Sequence, residues 1–159
     1  MSFDIVGRRP STKKGKCFCT NGASWSPLAL YIQRIAPELA SQCTHWYTND
    51  GDGIDAEHAA ALADRLDVEI REGRCERYLR LFKSEQEMEP DEACDTCGGT
   101  GTRRPWPEDG PGNTSAGTKC HVCDGEGMVR PLWTLCPFSV EIVKNFVIFL
   151  RACGGFSIL

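Results

Sequence analysis

The chain has 159 residues, of which 41% are hydrophobic and 25% are charged, and its formal net charge is -4 at pH 7. This length excludes two large domains, and the composition excludes a wholly disordered chain because it supplies enough apolar side chains for a core. The negative net charge argues against unspecific binding to DNA. No apolar run reaches the roughly 18 to 20 residues that cross a bilayer, and no signal-peptide pattern is present, so we expect a cytoplasmic protein without membrane contact.

The N-terminal part predicts a strand, a basic loop and a helix. The stretch SFDIVG (2–7) has the β-branched and aromatic residues of a strand, and the loop RRPSTKKGK (8–16) that follows contains only basic charges. In the segment WSPLALYIQRIAPEL we expect Ser26 to cap a helix, Pro27 to occupy its first turn and Pro37 to end it.

The middle of the chain predicts a turn followed by a long amphipathic helix. The stretch NDGDGID invites a calcium-site interpretation, but an EF-hand alignment places Asp55 at an apolar position and Ala59 at the position of the final Glu. We therefore expect a turn in which Asp55 caps the helix. After Gly73 a helical pattern continues to Pro90, either as one kinked helix or as two helices.

The C-terminal segment predicts a buried helix and a strand. Ser139 can cap this helix, Gly154 can end it, and the last residues, FSIL, can pair with FDIV near the N-terminus. The sequence thus predicts an α+β fold: a small helical domain of residues 1–90 and 131–159, with a short two-stranded sheet that joins the chain ends.

Residues 91–130 differ from the rest, because glycine, proline and cysteine replace the apolar periodicity. They contain CDTCGGTG (94–101) and CHVCDGEG (120–127), two copies of Cys-x-x-Cys-x-Gly-x-Gly. Each Cys-x-x-Cys turn can supply two thiolates to a tetrahedral zinc, while the glycines permit positive φ angles. We predict an inserted module of β-hairpins with one structural zinc, whose ligands are Cys94, Cys97, Cys120 and Cys123. Reduced thiols, two disulfides or a redox-active pair are the alternatives.

Both copies match the cysteine-rich repeat of DnaJ-type co-chaperones, and this resemblance covers residues 94–130 only. Those co-chaperones have four repeats and two zincs, whereas two repeats imply a single zinc here. The chain also has no His-Pro-Asp tripeptide, so stimulation of a chaperone ATPase does not carry over. A second resemblance covers most of the chain: SFDIVGRRPSTKKGK, NDGDGIDAEHAAALADRL and PFSVEIVKNFVIFLRACGGF are similar to a group of small uncharacterised bacterial and phage proteins. It implies a class but no mechanism.

The remaining cysteines and the histidines give weaker signals. Cys17, Cys19, Cys43 and His45 could form a second zinc site, but their spacing is unusual, and buried cysteines with a surface histidine explain it more simply. Three further cysteines beside apolar helix residues are expected in the core: Cys75, Cys136 and Cys153. An enzyme would have to use His45 or His58 with a nearby aspartate, and no catalytic motif accompanies either histidine.

These patterns favour a non-enzymatic, zinc-stabilised module that binds another protein, with no small-molecule substrate. A phage-borne inhibitor of a host defence complex is one form of this hypothesis, because the acidic block 84–95 could imitate nucleic-acid phosphates. The alternative is a nucleic-acid-binding regulator. Its candidate contacts are Arg8, Arg9, Lys13, Lys14 and Lys16 in the basic loop and Arg103, Arg104 and Trp106 in the module.

Overall fold

The structure, a computed structural model, describes residues 2–103 and 117–159. The chain divides into two compact units, one of Met1–Glu85 with Cys136–Leu159 and the other of Gln86–Leu135. Helices and small sheets occur together, which confirms the mixed α and β class. The second unit is built around the repeated cysteine motif.

The first unit contains a four-stranded antiparallel sheet rather than the two-stranded sheet that we predicted. The strands are β1 (Ser2–Gly7), β2 (Cys17–Asn21), β3 (Gly53–Ile54) and β8 (Phe156–Ile158), in the order β2-β1-β8-β3. The expected pairing of the chain ends is confirmed, because Ile5 lies opposite Ile158. The prediction missed β2 and β3 because CFCTN carries few β-branched residues and β3 has only two residues.

The described residues form the α-helices α1 (Gly22–Ile35), α2 (Pro37–Ala40), α3 (Ala56–Arg71), α4 (Arg74–Met88) and α5 (Val140–Cys153). Two predicted caps are confirmed: Asp55 accepts the amide of His58, and Ser139 accepts the amide of Ile142. Gly154 ends α5 in the left-handed conformation, as expected.

The predicted start of α1 was wrong, because Asn21 and not Ser26 caps this helix. The Asn21 side chain accepts the amide of Ser24 at 2.8 Å, and the helix begins four residues before the predicted cap. Pro27 therefore lies inside α1 rather than at its start. The sequence left open whether one kinked helix or two helices lead to Pro90. The structure has two, α3 and α4, and Gly73 at φ +68° separates them.

Aromatic side chains dominate the core of the first unit. Phe146 on α5 is fully buried, and its ring centroid lies 5.0 Å from that of Phe18 and 5.7 Å from that of Trp25. The indole nitrogen of Trp25 donates to the Trp46 carbonyl at 2.6 Å, so its one polar group is satisfied. The sheet and α1 thus share one apolar layer with α5.

Of the three cysteines expected in the core, Cys75 and Cys153 are buried and Cys136 is half-buried. Within 2–103 and 117–159, no helix combines the length and the apolar character needed to cross a membrane.

We predict that Phe146→Ala lowers the free energy of unfolding of the first unit by about 3–5 kcal/mol, because it leaves a cavity among several aromatic rings. Chemical denaturation, monitored by Trp fluorescence, measures this change. Ile148→Ala on the same helix is the matched control, since Ile148 is 42% exposed and should cost well under half as much. Equal losses for the two variants would contradict the assigned core.

Candidate metal centre

The second unit contains two short antiparallel strand pairs that bracket the cysteine turns. Its strands are β4 (Glu92–Ala93), β5 (Thr102–Arg103), β6 (Thr118–Lys119) and β7 (Met128–Val129). The strand before the first turn, β4, pairs with the strand after the second turn, β7, and β5 pairs with β6. The two sequence repeats therefore occupy equivalent positions around one centre.

Each repeat forms the same tight turn. In the first, the Gly99 amide donates to the Cys94 carbonyl at 3.2 Å; in the second, the Gly125 amide donates to the Cys120 carbonyl at 3.1 Å. We call these turns the first knuckle (residues 94–101) and the second knuckle (residues 120–127).

Glycine amides also point at the sulfurs. The Gly101 amide donates to Cys97 Sγ at 3.3 Å, and the Gly127 amide donates to Cys123 Sγ at 3.2 Å. These hydrogen bonds stabilise a thiolate at the second cysteine of each knuckle.

The two knuckles are joined by reciprocal backbone hydrogen bonds. The Cys94 amide donates to the Gly127 carbonyl at 2.8 Å, and the Cys120 amide donates to the Gly101 carbonyl at 2.9 Å. Each knuckle thus completes the backbone hydrogen bonding of the other.

Glycine is required where the knuckles meet. Gly101 and Gly127 have φ angles of +73° and +78°. A Cβ atom on Gly101 would lie 2.2 Å from the Gly125 carbonyl oxygen, and one on Gly127 would lie 2.3 Å from the Gly99 carbonyl oxygen. Any side chain at either position would therefore push the knuckles apart.

The four cysteine sulfurs lie together between the knuckles. Cys94 Sγ lies 4.0 Å from Cys120 Sγ, Cys97 Sγ lies 3.7 Å from Cys123 Sγ, and all four sulfurs fall within 4.8 Å of one another. A zinc bound tetrahedrally at about 2.3 Å from each sulfur requires sulfur separations of about 3.8 Å. The site therefore fits a metal ion such as zinc, and the predicted four cysteines are brought together.

The sulfurs respond differently to their surroundings. At Cys123, burial outweighs the hydrogen bond from the Gly127 amide and raises the pKa to about 11. Burial also opposes ionisation of Cys97, but the Gly101 amide and the neighbouring thiols outweigh it and lower its pKa to about 7. The Cys123 amide lowers the pKa of Cys120. Because a metal binds thiolates, these donors favour binding, and acidification opposes it by protonating the ligands.

Comparison of the chain with protein-family models, with curated proteins and with solved structures gave no match. The likeness of the knuckles to DnaJ-type repeats therefore remains a resemblance of one motif.

Cys17, Cys19, Cys43 and His45, for which a second zinc site was left open, do not form one group of potential metal ligands in the described residues. Cys17 and Cys19 form a disulfide, and their sulfurs group with Asp4 rather than with Cys43 and His45. Cys43 is buried, and burial raises its pKa to about 12, which opposes the thiolate that a metal needs.

The aspartates near the two histidines organise the backbone. Asp52 Oδ2 accepts the amides of Thr44 at 2.6 Å and His45 at 2.9 Å, and these contacts lower the pKa of Asp52. Asp55 Oδ1 accepts the His58 amide at 2.9 Å and lies 2.9 Å from His58 Nδ1. The amide contact is the main reason that the pKa of Asp55 is low. Asp52 thus holds a turn and Asp55 caps a helix.

The candidate nucleic-acid contacts lie in different units. The five cations of the basic loop are exposed in the first unit, and Arg103 is exposed on β5 in the second. The loop backbone is held to the end of α5, because the Arg9 amide donates to the Cys153 carbonyl at 3.0 Å. Arg104 and Trp106 lie outside the described residues.

Sequence reasoning missed a groove of about 570 Å³ in the second unit. It is lined by the apolar residues Val122, Met128, Val129, Leu132 and Leu135, by Cys123, and by the charged residues Glu92, Asp124, Glu126 and Arg130. No periodic pattern indicates it, because its walls come from a knuckle, a two-residue strand and the 3₁₀ helix Leu132–Leu135.

We predict that Cys97→Ser and Cys120→Ser each remove one zinc equivalent per chain relative to wild type, because three thiolates leave the tetrahedron open. Metal analysis of the purified proteins measures the loss. Most of the circular dichroism signal of the helices should survive, since α1, α3 and α5 belong to the other unit.

Cys136→Ser is the matched control, because Cys136 belongs to neither cluster of potential metal ligands in the described residues. It should retain the wild-type zinc content. Unchanged zinc in Cys97→Ser, or equal loss in the control, would contradict the four-cysteine assignment.

Proposed function

We propose that the protein is a non-enzymatic interaction protein, in which zinc bound by the four cysteines fixes a surface that binds another protein. The observation that carries this proposal is the groove beside the second knuckle. Cys123 lines the groove and also belongs to the four-cysteine group, so a metal bound there would fix part of the groove wall. Four thiolates also complete a tetrahedron, which leaves no position for the water or substrate of a catalytic zinc.

The groove has the exposed apolar side chains expected of a docking surface. Leu135 is 66% exposed and Val122 is 51% exposed. Exposed leucine and valine side chains that line one concavity can gain free energy by leaving water when a partner binds.

Charge indicates the chemistry of the partner. Glu92, Asp124 and Glu126 line the groove together with one cation, Arg130. Arg130 Nη1 lies 3.4 Å from Asp91 Oδ1, and the Arg130 guanidinium also donates to the carbonyls of Gln86 and Glu89. Because Arg130 has these local partners, the acidic side chains set the character of the groove. It suits a protein segment that carries apolar residues next to lysine or arginine.

A narrower form of the proposal concerns host defence. Glu87, Asp91, Glu92 and Asp95 of the acidic block are exposed in the same unit. A protein surface that binds nucleic acid is basic, so this block is complementary to it. Together with the resemblance to phage proteins, this supports a defence complex of the host as the partner.

The groove can be tested by selecting peptides from a random displayed library with the full zinc-loaded chain. We expect the selected peptides to combine apolar residues with lysine or arginine. Leu135→Asp and Val122→Asp should each weaken a selected peptide at least about tenfold, as expected for central contacts of an interface. Isothermal titration calorimetry measures the affinities.

Leu81→Asp is the control for this experiment, because Leu81 is 56% exposed on α4 and does not line the groove. It should bind the selected peptide with wild-type affinity. Selection of acidic peptides, or wild-type affinity in Leu135→Asp, would refute the proposed groove partner.

Exposure of the basic loop favours nucleic-acid binding as a second candidate function. Lys13 and Lys14 are exposed on a loop whose backbone is fixed by hydrogen bonds to α5, including that from the Ser11 amide to the Ala152 carbonyl at 2.8 Å. A fixed group of cations can contact phosphates at little cost in ordering.

For this candidate we predict salt-sensitive binding of single-stranded DNA or RNA at low ionic strength, measured by fluorescence anisotropy. Lys13→Ala, Lys14→Ala and Arg103→Ala should each weaken binding and reduce the salt slope by about one for each phosphate that the removed cation had neutralised. Lys144→Ala, which removes an exposed cation of α5, should change neither. Absence of binding at low salt would eliminate this candidate.

A further inference from the structure

The outer face of the four-stranded sheet contains a second group of potential metal ligands. Strand β2 is anchored by Phe18, whose ring centroid lies 5.0 Å from that of Phe146 in the core. Side chains alternate along a strand, so Cys17 and Cys19 occupy the opposite face. Asp4 lies directly across from Cys19 on β1.

These three residues are close enough to bind one metal ion together. The sulfurs of Cys17 and Cys19 and a carboxylate oxygen of Asp4 lie within 4.8 Å of one another. Cys19 and Asp4 are exposed and Cys17 is half-buried, so solvent species can reach the group.

The Cys17–Cys19 disulfide contributes little to the stability of the fold. It joins residues that are only two positions apart on β2. This strand is already held in place by its hydrogen bonds to β1. A cross-link stabilises a fold mainly by restricting the unfolded chain, and this restriction is smallest for the shortest loops. Its exposed position instead allows exchange with thiols in solution.

We propose that Cys17, Cys19 and Asp4 form a second metal site that is opened by reduction of the disulfide. A thiolate of a small thiol such as glutathione attacks one sulfur, forms a mixed disulfide and releases the other cysteine as a thiolate. A second glutathione then attacks the mixed disulfide. In total two thiols are oxidised to one disulfide, and Cys17 and Cys19 are reduced to two thiols.

The reduced group offers two sulfurs and one carboxylate oxygen, a donor set that suits zinc. Binding of zinc releases the two thiol protons, because the metal binds thiolates. Three protein ligands leave a fourth position for water or for a group from a partner molecule. This site therefore differs from the four-cysteine centre, whose tetrahedron is filled by the chain.

The test counts zinc per chain by equilibrium dialysis and metal analysis, before and after treatment with glutathione under anaerobic conditions. Alkylation and mass spectrometry of the same samples count the free thiols. We expect reduction to expose two further thiols, at Cys17 and Cys19, and to add one zinc equivalent to the wild-type chain. Reduction without added zinc, or failure of glutathione to reduce the pair, would overturn the proposal.

Three variants distinguish this site from other zinc binding. Cys19→Ser should not bind the added zinc equivalent, and Asp4→Asn should bind it with an affinity at least about tenfold lower. Cys136→Ser should retain it. Undiminished uptake in Cys19→Ser would refute the assigned ligands.

The same measurement in Cys97→Ser separates the two sites. This variant should lack the equivalent of the four-cysteine centre in both redox states and still gain one equivalent on reduction. Failure of the four-cysteine assignment and failure of this proposal thus give different zinc counts.

Discussion

The second unit depends on the reciprocal hydrogen bonds between its two knuckles. The amide of the first cysteine in each knuckle donates to the carbonyl of the last glycine in the other, at 2.8 Å and 2.9 Å. This exchange sets the two cysteine pairs face to face and brings four sulfurs within 4.8 Å of one another. The described residues of the unit include few buried apolar side chains apart from the cysteines, so a metal bound at this site would contribute much of the folding free energy. Backbone geometry and metal chemistry therefore support each other.

The pattern of two cysteines and two glycines was sufficient to predict that the four cysteines come together, because each position has a separate physical requirement. Sulfur ligands need the Cys-x-x-Cys spacing, and Gly101 and Gly127 need positive φ angles and contact with a carbonyl of the opposite knuckle. Asp55, Ser139 and Gly154 were predicted for a similar reason, since helix ends need specific local hydrogen bonds and backbone angles. Local chemistry of this kind is visible in a sequence.

The pairing of the chain ends was predicted, but several other features that depend on tertiary neighbours were not. Asn21 and Ser26 are both residue types that cap helices, and α1 begins at the earlier one, directly where strand β2 ends. Strand β3 has two residues and exists because β8 provides its partner. The sequence left open whether Cys17 and Cys19 belong to a metal site, because the register of β1 and β2, which brings Asp4 opposite Cys19, cannot be read from spacing alone. The groove near Leu135 was likewise missed, because its lining residues come from separate segments that only the folded chain brings together.

The chain order of the two units has a consequence for synthesis on the ribosome. The first knuckle emerges with only two sulfurs, so a complete metal centre must wait until Cys123 has been made. At that moment the sheet still lacks β8, and the aromatic core still lacks Phe146, because α5 and β8 follow the second unit. The α+β unit therefore cannot close its core until the four-cysteine segment has left the ribosome. A nascent chain can bring its four cysteines together first and complete its hydrophobic core afterwards.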